Sequence, residues 1–233
     1  LIFAVSKSFR AHAWSLAESS FCMNYASQST KPNTMKRIIF SLIFLFVSLS
    51  VSGREIYSLN ENWQFFYKLE TSSDYARNIS LPHTWNLDAL AGQGNYLQTI
   101  GNYSRSIYIP AEWSTKRLFL KFYGVQTIAD VFVNGHHAGE HRGGFTAFTF
   151  EITSHVKFGT DNSLVVVVNN SYQNDILPTS SEINQYGGIY REVELIVTEQ
   201  TTISPLYYGS DGVLIHQNSI VGNTVNATAS VWV

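Results

Sequence analysis

The chain has 233 residues, 45% of them hydrophobic, 14% aromatic and 14% charged, with a formal net charge of −2. Near-neutral charge argues against a nucleic-acid binder or a polybasic membrane-surface protein. The one cysteine, Cys22, excludes an internal disulfide framework. Charge well below the ~25% of ordinary soluble domains, with many Tyr, Phe and Trp, suits a β-rich protein with planar surfaces for stacking on ligands.

Taken in chain order, the first feature is a targeting segment. Met35-Lys36-Arg37 is basic, Ile38 to Val47 is nearly all apolar, and Ser48 to Gly53 is mostly small residues. That order describes a secretory signal peptide over 35–53, cleaved near Ser52 or Gly53. The apolar run is shorter than the ~20 residues a spanning helix needs, so no membrane span is expected. The protein is expected to be secreted or periplasmic. Met35 stands where an initiator belongs. Residues 1–34, Cys22 included, therefore read as a non-native upstream leader, read through in error and outside the fold, with a genuine extended leader as the alternative.

After Gly53 come short β-like runs broken by turn residues. Arg117 to Tyr123 alternates loosely and stops at Gly124. Ala129 to Val133 runs into Asn134-Gly135, a pair that tolerates the positive φ of a two-residue hairpin turn, so a partner strand should start near His136. Phe145 to Ile152 is another run. Leu164 to Val168 is apolar at every position, which predicts a central strand covered on both faces. From Ile189 to Val197, Val193, Leu195 and Val197 share one face and Glu192 and Glu194 the other. No window of ten residues after 54 has helical periodicity. Short strands with turns every ~8–12 residues predict an all-β sandwich or barrel. Ile203-Ser204-Pro205 looks like a break, since Pro interrupts strand pairing. The two strand-like runs beyond it, Val213–Ile215 and Ala227–Val233, are too few for a domain, and the second stops in mid-strand, which reads as a truncation.

Four motifs then fall in register. Leu81-Pro82-His83-Thr84-Trp85-Asn86 resembles the signature near the start of the sugar-binding domain of glycoside hydrolase family 2. So do Phe132-Val133-Asn134-Gly135 with Gly139, and Gly143-Gly144-Phe145 with Phe148 and Glu151-Ile152-Thr153. Gly187-Gly188-Ile189-Tyr190-Arg191 closes the series. Glu151 stands where the family usually has Asp. The resemblance implies a jelly-roll (galactose-binding-domain-like) β-sandwich over 54–200 and the truncated start of an immunoglobulin-like β-sandwich over 201–233. It also implies a parent enzyme, a β-galactosidase-like retaining exo-glycosidase. The catalytic (β/α)8 barrel of that enzyme, with its two glutamates, resembles nothing in this chain. No catalytic residue, cofactor or metal is therefore expected here. The partners are a terminal β-linked sugar and the protein's own downstream barrel, with the oligomeric state open. A non-catalytic carbohydrate-binding module and a structural β-sandwich are the rival classes.

The resemblance also implies the contacts. In the galactosidase and glucuronidase branches an acidic residue six positions before the second Gly of the last motif touches the terminal sugar, and here that position is Glu182. A carboxylate accepts strong hydrogen bonds from two adjacent hydroxyls, and the loop from Leu177 to Tyr186 that carries it is polar. Gln98 is the second candidate, as an amide offered from the loop Tyr96 to Arg105, with Asn102 as its neighbouring alternative; Asn184 is the third. A carboxylate at 182 tilts weakly against glucuronate as the sugar. His83, Trp85 and Trp113 read as structure, Arg142-Gly143-Gly144 as a bend, and Arg191 as a buttress. His136, His137 and His141 lack a carboxylate at ligand spacing. Asn78, Asn102, Asn169 and Asn226 head glycosylation sequons.

Overall fold

A computed structural model describes residues 2–10, 53–67, 76–86, 97–177, 186–222 and 224–233. The chain divides into two compact units, Leu1–Ala4 with Arg54–Leu214 and Ala229–Val233, and Val5–Gly53 with Ile215–Thr228. The strands are β1 (Ile2–Arg10), β2 (Glu55–Ser58), β3 (Trp63–Tyr67), β4 (Arg77–Ile79), β5 (Ile100–Ile109), β6 (Arg117–Phe122), β7 (Ile128–Val133), β8 (His136–Arg142), β9 (Phe148–Glu151), β10 (Thr160–Asn169), β11 (Val193–Thr198), β12 (Val213–Val221) and β13 (Thr224–Trp232). No helix among the described residues is long and apolar enough to cross a membrane.

The larger unit is an antiparallel sandwich. One sheet has the order β4-β3-β5-β10-β7-β8 and the other β2-β11-β6-β9. Alternation explains its core. On β5, Tyr103, Ile107 and Ile109 point inward, on β10 Leu164, Val166 and Val168, and on β11 Val193, Leu195 and Val197. Trp63, Phe65 and Trp85 complete the core with no exposed surface. Strand β10 is central, between β5 and β7, as expected, but Val165 and Val167 on its other face are half-buried rather than covered. Only one face of this sheet meets the opposing sheet.

Asn134 (φ 51°) and Gly135 (φ 79°) form the two-residue turn between β7 and β8, with Val133 opposite His136. The run expected from Phe145 is shorter. Phe145 is 69% exposed and pairing begins at Phe148. Gly143 (φ 143°) supplies the bend before it. The break around Pro205 is real, since no strand lies between Thr198 and Val213. A three-stranded sheet has the order β1-β13-β12. It includes Ile2–Arg10, and β12 is exposed along its whole length.

Candidate functional site: the loop end of the sandwich

The first and last of the four motifs meet at one end of the sandwich. The His83 N–H donates to the Ile189 carbonyl (2.8 Å) and the Trp85 N–H to the Gly187 carbonyl (3.2 Å), so the motifs lie side by side like short strands. Gly187 is there because nothing larger fits. A Cβ would stand 1.9 Å from Trp85 Cζ2. Gly188 (φ 134°) is a backbone conformation that favours glycine, and it forms an isolated bridge with Gln126. Tyr190 donates its hydroxyl to the Gly144 carbonyl (2.6 Å), which ties the third motif to the fourth.

Two buried amides organise the end. Asn86 and Asn170 are 1% and 0% exposed. Asn86 Oδ1 accepts from the Gly187 N–H (2.7 Å). Asn170 Oδ1 accepts from the Thr99 N–H (2.8 Å), and its own backbone N–H donates to the Thr99 carbonyl (3.2 Å). The Leu97 carbonyl accepts from Trp85 Nε1 (3.1 Å), Asn170 Nδ2 (3.0 Å) and Asn86 Nδ2 (3.4 Å). Buried polar groups that all find partners make a rigid network. On the approach to segment 178–185, Arg142 pairs with Asp175 (2.8 Å), and this hydrogen bond holds the Asp175 carboxyl below its ordinary range.

Gln98 sits between Leu97 and Thr99, both tied down, and its own side is exposed. Its backbone is therefore fixed and its amide faces outward. Glu182 and Asn184 lie outside the described residues. The positions on either side of their loop are described: Leu177 is 71% and Tyr186 47% exposed. Trp85 and Asn86 thus link Gly187, after residue 185, to Leu97, before Gln98, while Asn170 ties Leu97 and Thr99 on either side of Gln98. Asn102 is not in a loop. It lies in β5, opposite Phe66 and Val167, because pairing begins at Ile100.

The remaining candidates are structural. His83 Nδ1 is 2.7 Å from the Tyr103 hydroxyl, and its ring packs 4.8 Å from Phe65. Trp113 packs against the core and lies 5.1 Å from Tyr57. Arg191 is exposed with its guanidinium 5.8 Å over the Tyr190 ring, so it braces an aromatic side chain rather than a sheet. His137 faces Asp130 (3.1 Å), His136 stacks on His155 and His141 stacks on Phe148. Burial lowers the His141 pKa. No group of three or more potential metal ligands occurs among the described residues. The sequence reading missed Asn86 and Asn170 as organisers. Asn170 was visible only as the middle of a sequon, although an amide directly after an apolar central strand is a signal of a buried one.

The fold defines a two-sheet antiparallel β-sandwich, and residues 72–199 match the family described as "Glycosyl hydrolases family 2, sugar binding domain". The chain belongs to that family. It is 48% identical over 198 residues to a β-glucuronidase of Bacteroides fragilis, covering 84% of this chain and 28% of the relative. It is 35% identical over 116 residues to a β-galactosidase of Thermoanaerobacter pseudethanolicus, covering 48% and 15%. A solved Bacteroides uniformis β-glucuronidase 2, covalently bound to cyclophellitol-6-carboxylate aziridine, superposes with a TM-score of 0.66 at 33% identity, covering 72% and 20%. The chain spans about a quarter of the length of the Bacteroides fragilis relative, 28%.

Proposed function

We propose that this chain is the sugar-binding domain of a longer, secreted, retaining exo-β-glycosidase, and that its loop end completes the subsite for the terminal sugar. The observation that carries the proposal is the joint at Asn86 and Asn170, which fixes the backbone beside Gln98 and beside the loop of Glu182 and Asn184. A subsite needs its ligands held within about 0.5 Å of a productive position, and loops reach that precision only when their stems are locked. Glu182 accepts hydrogen bonds from two adjacent sugar hydroxyls, Gln98 adds an amide that both donates and accepts, and Asn184 is the third contact, a second amide. The bond-breaking chemistry falls to two carboxyl groups from elsewhere in the longer protein, roughly 5–5.5 Å apart about the scissile bond.

The sugar class is a β-linked glucuronide or galactoside. The charge of Glu182 tilts against glucuronate, but the names of the relatives pull the other way. The Bacteroides fragilis relative is named a β-glucuronidase, and the Bacteroides uniformis enzyme holds a carboxylate-bearing inhibitor. A cation supplied from outside this chain would reconcile the two. The test compares the purified chain with the longer protein on 4-nitrophenyl β-D-glucuronide and β-D-galactoside. The expected result is no turnover by the chain and turnover by the longer protein. Hydrolysis by the chain alone would place catalytic residues within it. Glycan binding with no hydrolysis by the longer protein would make it a binding module.

A further inference from the structure

We infer that the outer face of the six-stranded sheet is a second saccharide-binding surface, built to take a neutral stretch of oligosaccharide. A cleft of about 940 Å³ lies on this face, lined by Gln64, Asn78, Ser104, Ser106 and Ser163 among others. That volume falls within the roughly 300–1,000 Å³ of ordinary ligand sites. The five residues come from four adjacent strands and stand in register. Asn78 faces Gln64, Gln64 faces Ser104, and Ser106 faces Ser163. With strands about 4.8 Å apart the row is roughly 14 Å long.

The chemistry of the row selects the ligand. Every member is an amide or a hydroxyl, a group that both donates and accepts, as sugar hydroxyls do. None of these five side chains has a hydrogen-bond partner among the described residues, so their capacity is free for a ligand. They stand on strands, which fixes their spacing before anything binds. The charged groups at the cleft argue for neutrality. Arg105 is engaged by the Leu59 carbonyl (2.6 Å) and the Glu61 carbonyl (2.8 Å), and lies 5.6 Å over the Trp63 ring. Glu61 accepts from the Ser80 hydroxyl, and Asp161 stands at the edge. Two carboxylates at the margin repel a polyanion. The site is also separate from the loop end. Thr99 and Ser104, the nearer of the two β5 members of the row, are five residues apart along extended chain, roughly 17 Å at strand rise. The inference shares with the proposed function only the premise that the ligand is a saccharide.

The test titrates the chain with cellohexaose, xylohexaose and hexagalacturonate, following amide chemical shifts and heats of binding. Expected is binding of at least one neutral hexasaccharide, with shifts at Gln64, Ser104 and Ser163. Gln64→Ala with Ser104→Ala should weaken it at least tenfold while Glu182→Gln leaves it unchanged. Ser106→Ala with Ser163→Ala should do the same, which guards against a folding defect in either pair. The proposal is overturned by no binding of any neutral probe, by shifts confined to Gln98 and Gly187, or by tighter binding of hexagalacturonate. Unchanged glycosidase kinetics of Glu182→Gln in the longer protein, with hexasaccharide binding intact, would count against the terminal-sugar reading alone.

Discussion

Replacing Gly187 by alanine tests the joint directly. Gly187 lies outside the left-handed region, so alanine brings no backbone strain and the effect is one of packing. The new methyl would stand 1.9 Å from Trp85 Cζ2, 2.1 Å from Cε2 and 2.7 Å from Nε1. Trp85 has no exposed surface, so the indole cannot swing into solvent and must push into Phe65, 5.7 Å away and stacked on it. Overpacking of this kind costs about 1–3 kcal/mol. Moving the indole also strains its hydrogen bond to the Leu97 carbonyl, worth about 1 kcal/mol. The sum, roughly 2–4 kcal/mol, corresponds to a fall in Tm of about 4–16 °C for a domain of this size. Calorimetry or urea unfolding measures it. A second measurement isolates the cause. In a Trp85→Phe background the smaller ring leaves room for the methyl, so Gly187→Ala should cost less there by at least 0.5 kcal/mol. A Tm within 2 °C of the parent, or strict additivity with Trp85→Phe, would refute the reasoning.

Three further outcomes follow from named contacts. Burial, then the hydrogen bond to Glu194, push the Tyr123 hydroxyl up to about 12 from 10.0. A raised folded pKa gives stability that is complete below pH 10 and lost as pH rises toward 12. Urea midpoints should therefore fall across that window and fall less in Tyr123→Phe. Glu151 is held below its ordinary 4.5, first by its hydrogen bond to Arg117, so it contributes stability above pH 4.5 that is lost as acid protonates it. Glu151→Gln should flatten the acid limb of the stability profile, and an unchanged limb would remove the Arg117 pair from the account. Asn134→Ala strips the hairpin turn of its bonds to Asn162 (2.7 Å) and the His155 carbonyl (2.9 Å) and leaves Asn162, fully buried, one donor short. The expected loss is about 1–3 kcal/mol by chemical unfolding.

What sequence can show here follows the range of each interaction. The turn at Asn134-Gly135 was readable because its cause is local, two adjacent residues that accept positive φ. The central position of Leu164–Val168 was readable from its apolarity. That Val165 and Val167 are only half-buried was not, because it depends on whether anything covers the far side of the sheet. Phe145 looked like the start of a strand by composition, and only the register of β6 with β9 shows that pairing begins at Phe148. The four motifs were recognisable one by one. Their contacts were not, since the bond from Gly187 to Asn86 spans 101 residues of sequence. The same holds for Asn170, which shares the Leu97 carbonyl with Asn86 from 73 residues away. The motifs that identify the family are thus mainly scaffold, and the proposed contacts Gln98, Glu182 and Asn184 fall between them in sequence, where pattern constrains residues least.

The terminal-sugar role is tested most directly by Glu182→Gln in the longer protein, assayed on 4-nitrophenyl β-D-glucuronide and β-D-galactoside. The substitution keeps size and removes the charge that strengthens two hydrogen bonds, a loss of about 1.5–3 kcal/mol. The account predicts a higher KM, a lower kcat, and kcat/KM reduced roughly 10- to 100-fold on the preferred substrate. Unchanged kinetics on both substrates would contradict it.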